Sequence, residues 1–472
     1  MAEPLTPSAD VPREAPLNEA LEEGRLSRGF VASVQAALES EDFEAARSLV
    51  APLHPADIAD LFALVPEGAR SQLASAIGEA LDAEVIAELD DYVREDVLAD
   101  MSPGEVADMV TRLDTDDAVA IIEDLEADEQ REVLDALAPA DRADIEAALT
   151  YPEESAGRLM QRELVAVSET MSIAEVFAHV RASTDPATDF WEIFVIDAAR
   201  RPVGTMRLSW LLTTPPDIAV ADIMQREQTL IPVDMDQEEV ALIFQKYALI
   251  SAAVVDGGGR LVGVITVDDI VHIIQQEAGE DVLKLSGAGD GDINEPVFTT
   301  YRTRSRWLVT NLVTGIISAS IIGAFSESIE ALVALAALSP IVASVGGNAG
   351  NQTMAVTVRA LATNQLTEAN TRRTIWREIR VALLNGLTLA LLMGLGTFGF
   401  FGNAALGAVI ACAMLFNILI AGLAGVMVPV TLERLEADPA VASSVFVTMI
   451  TDSMGFFLFL GLATLVGINY LS

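Results

Sequence analysis

Residues Val441–Tyr470 read VASSVFVTMITDSMGFFLFLGLATLVGINY, and this stretch decides the class of fold. It is long enough to cross a bilayer as a helix, which takes ~20 apolar residues. Near its middle stands one ionisable residue, Asp452, between Thr451 and Ser453 and shortly before Gly455. A charge in hydrocarbon costs at least ~2.5 kcal/mol on insertion scales, so such a group faces a cavity or a partner. No basic residue lies in the core of any other apolar span. A permeating cation is therefore the natural partner. The alternative is a protonated carboxyl hydrogen-bonded between packed helices.

Four further spans precede it, giving five in all: about Trp307–Phe325, Ala331–Val358, Ile379–Phe401, Ala404–Leu432 and Val441–Leu471. Basic residues collect in the segments holding Arg302, Arg304 and Arg306, and Arg359, Arg372, Arg373, Arg377 and Arg380. The segment Ser326–Glu330 and the turn near Gly402 hold none. The positive-inside rule then places the N-terminal body in the cytoplasm and the C-terminus outside. The second span contains LSPIVASVGGNAGNQ, Leu338–Gln352. Pro340, Gly346, Gly347, Gly350, Asn348, Asn351 and Gln352 at membrane depth predict irregular backbone beside protein or water. Freed carbonyls and amide oxygens are hard ligands suited to Mg2+ or its waters; packing of small residues is the alternative. The fourth span adds Asn417, Gly422, Gly425 and Pro429, a second polar and kinked line.

The formal charge is −42, from 28 basic and 70 acidic residues. From Arg304 onward the charges balance, so the whole excess lies in residues 1–303. That argues against nucleic acid, whose phosphates would be repelled, and suits a body that attracts cations. A salt-adapted proteome is the other reading, in keeping with only two lysines, Lys246 and Lys284. The single cysteine, Cys412, excludes an intrachain disulfide, and His54, His179 and His272 are scattered. The opening MAEPLTPSADVPREAP has no signal-peptide pattern and reads as a disordered tail to about Arg25.

From Arg28 to Leu149, cap signals recur ahead of apolar residues at helical spacing: His54-Pro55-Ala56-Asp57, Ser102-Pro103-Gly104-Glu105, Thr115-Asp116-Asp117, Pro139-Ala140-Asp141. Repetition of one cap-plus-helix unit predicts an all-α superhelix. Its acids read as a solvated face, with Glu105 and Asp108 as candidates for a cation site. Between Tyr151 and Gln276 the pattern becomes α/β and occurs twice: an extended run after Met160 or Met224, a helix (Ile173–Arg181; Gln237–Tyr247), then a strand pair (Ile193–Met206; Ala252–Thr266). This resembles a tandem pair of CBS domains. In such pairs Gly-x-x-Thr-x-x-Asp often binds adenosine nucleotides, which Gly263, Thr266 and Asp269 match; Thr266 would take phosphate and Asp269 ribose. The first copy has Ser209-Trp210 where the Asp would fall. The alternative is that Thr266 and Asp269 cap the next helix. That helix, Ile270–Leu285, carries Glu277, Glu280 and Asp281 and suits transmission of a rigid-body shift.

Together the pieces resemble the MgtE family of magnesium channels over nearly the whole length. The matching stretches are Tyr151–Met160 (YPEESAGRLM), Gly346–Gln352 followed by Arg359–Thr363, and Asp438-Pro439-Ala440 ahead of Thr451-Asp452. The resemblance implies a multi-domain membrane protein: a helical domain over 26–150, tandem CBS domains over 151–269, a connecting helix and linker over 270–303, and a five-helix pore domain over 304–472. It implies a homodimer in membrane lipid with the pore between protomers, and a buried Asp, here Asp452, holding hydrated Mg2+. It also implies regulatory Mg2+ ligands at Asp236, Glu238, Asp269, Glu277, Glu280 and Asp281, with Asp108 corresponding in the N-terminal domain, and ATP as a second ligand of the CBS pair. His272 and Ala248 depart from the acidic pattern. The expectation is a Mg2+ channel gated by internal Mg2+ and not an enzyme; a proton- or ion-coupled carrier of Mg2+, Mn2+ or Co2+ is the rival. An anion channel would need basic residues in the pore. A nucleotide-sensing scaffold would leave Asp452 unexplained.

Overall fold

A computed structural model describes residues 20–22, 24–183, 190–288, 291, 293–367, 369–435 and 437–467. The chain divides into two compact units, Met1–Gln275 and Gln276–Ser472.

The first unit begins with order where a tail was expected. Strands β1 (Leu21–Glu22) and β2 (Arg25–Leu26) pair antiparallel, and Gly24 turns between them at φ +76°. Ala20 is buried. The expected disordered tail thus reaches too far: Ala20 and the hairpin are anchored by apolar contacts, while residues 1–19 lie outside the described ones.

Ten helices follow: α1 (Arg28–Glu39), α2 (Phe43–Val50), α3 (Pro55–Leu64), α4 (Glu67–Ile77), α5 (Ala83–Ala87), α6 (Asp91–Leu98), α7 (Pro103–Val110), α8 (Thr115–Glu123), α9 (Ala127–Ala136) and α10 (Pro139–Ala148), counted among the described residues. The cap signals do what the sequence required. Pro55, Pro103 and Pro139 sit in the first turns of their helices, where a missing N–H costs nothing. Ser102 and Glu105 form a reciprocal capping box. Each helix buries one stripe, and the stripes meet in a core containing Leu61, Phe62, Leu73, Ile86 and Ile121. Truncating Phe62, which is fully buried, would remove ~3–5 kcal/mol of stability.

The region expected to be a CBS pair contains two sheets of the same design. In the first, β3 (Ala166–Ser168) runs parallel to β4 (Glu192–Ile196), which pairs antiparallel with β5 (Pro202–Arg207). In the second, β6 (Leu230–Pro232), β7 (Ser251–Val255) and β8 (Leu261–Thr266) repeat that order. Helices α11 (Ile173–Ser183), α12 (Leu208–Thr213), α13 (Val220–Ile223) and α14 (Gln237–Tyr247) complete the copies. The lead-in segments are exchanged. Gln161, ahead of the first copy, bonds Val264 of the second in both directions, at 2.8 and 2.9 Å. Gln225, ahead of the second, does the same with Thr205 of the first, at 2.9 Å both ways. The extended runs expected within each copy therefore serve the other copy at Met160 and Met224. Gly263 and Gly204 make room for those methionines: a Cβ on Gly263 would lie 2.6 Å from Met160 Sδ.

Helix α15 (Val267–Ser286) runs without a break from the first unit into the second, so the expected division at residue 270 falls inside a helix. The second unit adds α16 (Val297–Ala324), α17 (Ser326–Ala331), α18 (Ala334–Ala362), α19 (Thr371–Phe401), α20 (Ala404–Arg434) and α21 (Pro439–Val466). Ser326–Glu330, expected as a loop, lies within the short helix α17. Among the described residues, four helices are long and apolar enough to cross a membrane: α16, α19, α20, and α21 over Ser443–Val466. Helix α18 has the length, 29 residues, but its amides and glycines lower its hydropathy. The last residues of the fifth expected span, 468–471, lie outside the described ones.

Two backbone expectations are corrected. Helix α18 is continuous through Pro340 and the glycines. Pro340 cannot donate to Ala336 O, and the Ser339 hydroxyl reaches that carbonyl at 3.4 Å instead, so no run of freed carbonyls forms. Helix α20 also continues through Pro429, and Asn417, Gly422, Gly425 and Pro429 are all buried against neighbours. Here small residues serve close packing. A Cβ on Gly425 would lie 2.7 Å from Gly350 O, and one on Gly407 would lie 2.7 Å from Gly394 O.

Candidate functional site: a mid-membrane carboxylate and a set of cytosolic-type acids

Asp452 lies near the middle of α21 and is half-buried. Its neighbour Thr451 is fully buried, with its hydroxyl donating to Val447 O and Thr448 O, both at 3.0 Å. Thr451 thereby satisfies itself within α21, and Asp452 is set against α18. A methyl on Gly347 would lie 3.9 Å from Asp452 Oδ1 and 3.8 Å from Thr451 Oγ1. Gly350, one turn on, faces Val447 and Thr451. The glycines of the motif thus let α21 approach closely enough to bring the carboxylate to the backbone of α18. On the other side of Asp452, Ser453 Oγ lies 3.2 Å from Ser318 Oγ of α16.

The amides divide. Asn348 and Gln352 share one exposed face of α18 at i, i+4 spacing. Asn351 is half-buried, and its Oδ1 is buried without a hydrogen-bond partner. Gly346 faces away from Asp452, toward Asn417 of α20. Asn417 is fully buried, and its Nδ2 donates to Val342 O at 2.9 Å. Gly346, Gly347, Asp452 and the amides are therefore near one another in depth, but Asn417 belongs to the interior of the bundle.

In the first unit the acids gather where α8 meets the second CBS copy. Burial, with the charge of Asp269 beside it, pushes the Asp116 carboxyl well above the usual range, and its Oδ1 has no hydrogen-bond partner. Burial and Asp114 raise Asp117 to about 6. Burial and Asp268 raise Asp269 to about 7, although Thr266 Oγ1 donates to Asp269 Oδ2 at 2.9 Å. Gln161 Nε2 donates to the same oxygen at 3.4 Å. Thr266 and Asp269 are thus engaged with each other. Asp236 caps α14 by accepting from Glu238 N at 2.9 Å, and Asp108 is exposed on α7. No group of three His, Cys, Asp or Glu among the described residues has the geometry of a metal site.

In the second unit, α15 brings its last turns to the start of α21. Lys284 Nζ lies 2.5 Å from Glu280 Oε1 and 3.3 Å from Asp438 Oδ2. Burial would lower the ammonium's pKa, but its bonds to Glu280 and Asp438 outweigh this and raise it. Burial and Asp438 push Asp281 up. Leu285 packs beside Met354 and Val358 of α18 and Ala440 and Val447 of α21.

Comparison with known proteins decides the family. A sequence model described as divalent cation transporter matches residues 339–462, one for the MgtE intracellular N domain matches 53–154, and one for the CBS domain matches 220–276. The magnesium transporter MgtE of Thermus thermophilus is 37% identical over 338 residues, covering 70% of this chain and 74% of the relative. The chain belongs to the MgtE family. The Bacillus subtilis magnesium transporter MgtE is 29% identical over 419 residues, 89% of this chain and 93% of its own. A crystal structure of the cytosolic domain of the Mg2+ channel MgtE in complex with ATP is 32% identical over 52% of this chain and 99% of its own, with a TM-score of 0.47.

Within this MgtE-family chain, several polar groups of the structure carry no sequence signal as site residues. Asp116 and Asp117 read as part of a cap signal, and with Asp268 they are the like charges beside Asp269. Lys284 is an isolated base between acids. Glu378 of α19 is buried, bonded to Arg377 Nη1 at 2.6 Å and approached by Thr353 Oγ1 at 3.5 Å. Glu280 and Lys284 are an i, i+4 pair on one helix, and Asp438 joins them from 154 positions on.

Proposed function

We propose that this chain is a Mg2+ channel of the cell membrane, with its N-terminal body in the cytoplasm, and that Asp452 is the group which attracts the permeating ion. The observation that carries this reading is the placement of Asp452 Oδ1 against Gly347, at mid-depth in both helices and remote in sequence from any base. Mg2+ gives up its waters reluctantly and prefers six oxygens. A carboxylate near side-chain amide oxygens holds those waters without stripping the ion, and weak binding permits exit. Asn348 and Gln352, exposed on α18, suit a pore completed by the same face of a second copy.

The acids of the first unit support gating by internal Mg2+. A buried Asp116 oxygen without a partner stands beside the like charges of Asp117 and Asp269, a repulsion that a nearby cation would relieve. At low Mg2+ these carboxylates repel and the contact loosens; at high Mg2+ the ion bridges them and α15 carries the change toward α21. Asp108, Asp236 and Glu238 of the first unit, and Glu277, Glu280 and Asp281 of the second, are the further carboxylates proposed to take regulatory Mg2+. Nucleotide at Thr266 and Asp269 enters in a narrower form, because a ribose would have to take Asp269 from Thr266 and Gln161.

Growth of a Mg2+-uptake-deficient bacterium tests the core of the reading. The wild-type chain is expected to restore growth at low Mg2+ and Asp452→Asn to fail while reaching the membrane in equal amount. Rescue by Asp452→Asn equal to wild type sinks the proposal.

A further inference from the structure

We infer that Asn417 is a positioning residue for ion binding: its amide pegs α18 and α20 to α21 at the depth of Asp452 and so sets where that carboxylate stands. The inference rests on the reading of Asp452 as the ion-binding group. Asn417 is fully buried near the middle of α20, in a helix otherwise lined with apolar and small residues. Its Nδ2 donates to Val342 O at 2.9 Å, a carbonyl of α18 one turn before Gly346. Helix α18 and helix α21, which carries Asp452, each give up a side chain to admit the amide. A Cβ on Gly346 would lie 2.1 Å from Asn417 Nδ2, and a Cβ on Gly455 would lie 2.9 Å from it. Those glycines adjoin the ion-binding elements: Gly346 precedes Gly347, which faces Asp452, and Gly455 follows Asp452 by one turn.

The second atom of the amide argues against a role in stability alone. Asn417 Oδ1 is buried without a hydrogen-bond partner. An unpaired acceptor at this depth is unfavourable, and a leucine of similar size would fill the space without it. Packing alone needs only an apolar residue here; the amide adds one bond across the helices and one unpaired acceptor. What leucine cannot supply is the directional bond to Val342 O, which fixes α18 in rotation as well as distance. Rotation of α18 moves Gly347 relative to Asp452 and changes the pocket in which a hydrated ion sits.

The test uses the full-length chain in proteoliposomes. Asn417→Leu is expected to reach the membrane and to melt in one transition in detergent, yet to need at least tenfold more Mg2+ for half-maximal uptake. A second variant removes the steric contribution: Gly346→Ala with Asn417→Ala has room for both methyls but no donor to Val342 O, and is expected to show the same raised half-saturation. Wild-type half-saturation in either variant overturns the inference. Failure of both variants to accumulate in the membrane also overturns it, because Asn417 is then a folding residue. Asp452→Asn in parallel separates the two levels of the reading. Normal uptake by Asp452→Asn removes the ion-site reading itself, whereas a dead Asp452→Asn beside a normal Asn417→Leu sinks only the role of Asn417.

Discussion

Lys284 Nζ stands 3.3 Å from Asp438 Oδ2, joining the last turn of α15 to the residue that caps α21. Asp438 uses its other oxygen to accept from Ala440 N at 2.7 Å, so one carboxylate both starts the helix of Asp452 and holds the connecting helix. The same ammonium binds Glu280, with Asp281 close by. Lys284 is thus the cation among three carboxylates, Glu280, Asp281 and Asp438.

Replacing Lys284 by Met should therefore make the junction more dependent on Mg2+. Glu280, Asp281 and Asp438 would lose their fixed positive charge, and Mg2+ would take its place with higher affinity. The internal Mg2+ concentration that halves the current is expected to fall at least threefold in patch recordings. A shift to higher concentration would mean that the lysine acts as a latch and not as a competitor.

The acids of the first unit set a pH dependence with a definite sign. Asp269 at about 7 and Asp117 and Asp124 at about 6 lie above the ~3.9 of an unfolded chain. The folded unit therefore holds protons that the unfolded chain has released. Stability from these protons is fully present below pH ~4 and is lost as pH rises through 6 and 7. Without Mg2+, the first unit of the full-length protein should melt several degrees lower at pH 8 than at pH 5.5, followed by the fluorescence of Trp191 and Trp210. Asp117→Asn should narrow that gap; an unchanged gap would show that burial does not hold these protons.

Gly425 tests how closely α18 and α20 must approach. A methyl there would meet Gly350 O at 2.7 Å and Thr353 Cβ at 2.8 Å. Backbone cannot give way as a side chain does, so Gly425→Ala should destabilise the membrane unit by ~1–3 kcal/mol, the usual range for overpacking. Thermal melting in detergent would read this. Gly396→Ala, where a methyl meets nothing within 4 Å, is the control and should melt as wild type.

The exchanged lead-ins of the CBS pair make a parallel prediction. Gly263→Ala would set a methyl 2.6 Å from Met160 Sδ and 2.8 Å from Gln161 O. It should loosen the bridge between Gln161 and Val264 and expose the segment before β3 to protease. Cleavage at the wild-type rate would show that Met160 yields without disturbing the bridge.

Local rules made much of this protein legible in its sequence. Proline and acid at helix starts marked where α3, α7 and α10 begin, and extended runs about a polar turn marked the strand pairs of both CBS copies, because caps and turns act over a few residues. The one charge in an apolar span marked Asp452 for the same reason: its cost depends only on depth. Tertiary structure decided what local pattern leaves open. Gly346 and Gly347 are identical neighbours in sequence, yet one faces the Asn417 peg and the other the Asp452 carboxylate, because successive helical residues point about 100° apart and only packing says what lies in each direction. Asn417 reads as a pore amide until Val342 O is seen to hold it, and Lys284 reads as a lone base until Asp438 arrives from far along the chain. Sequence alone showed which polar groups lie in the apolar spans; the packing of α18, α20 and α21 decided which of them are buried and which are exposed, because burial depends on what neighbouring helices set against each face.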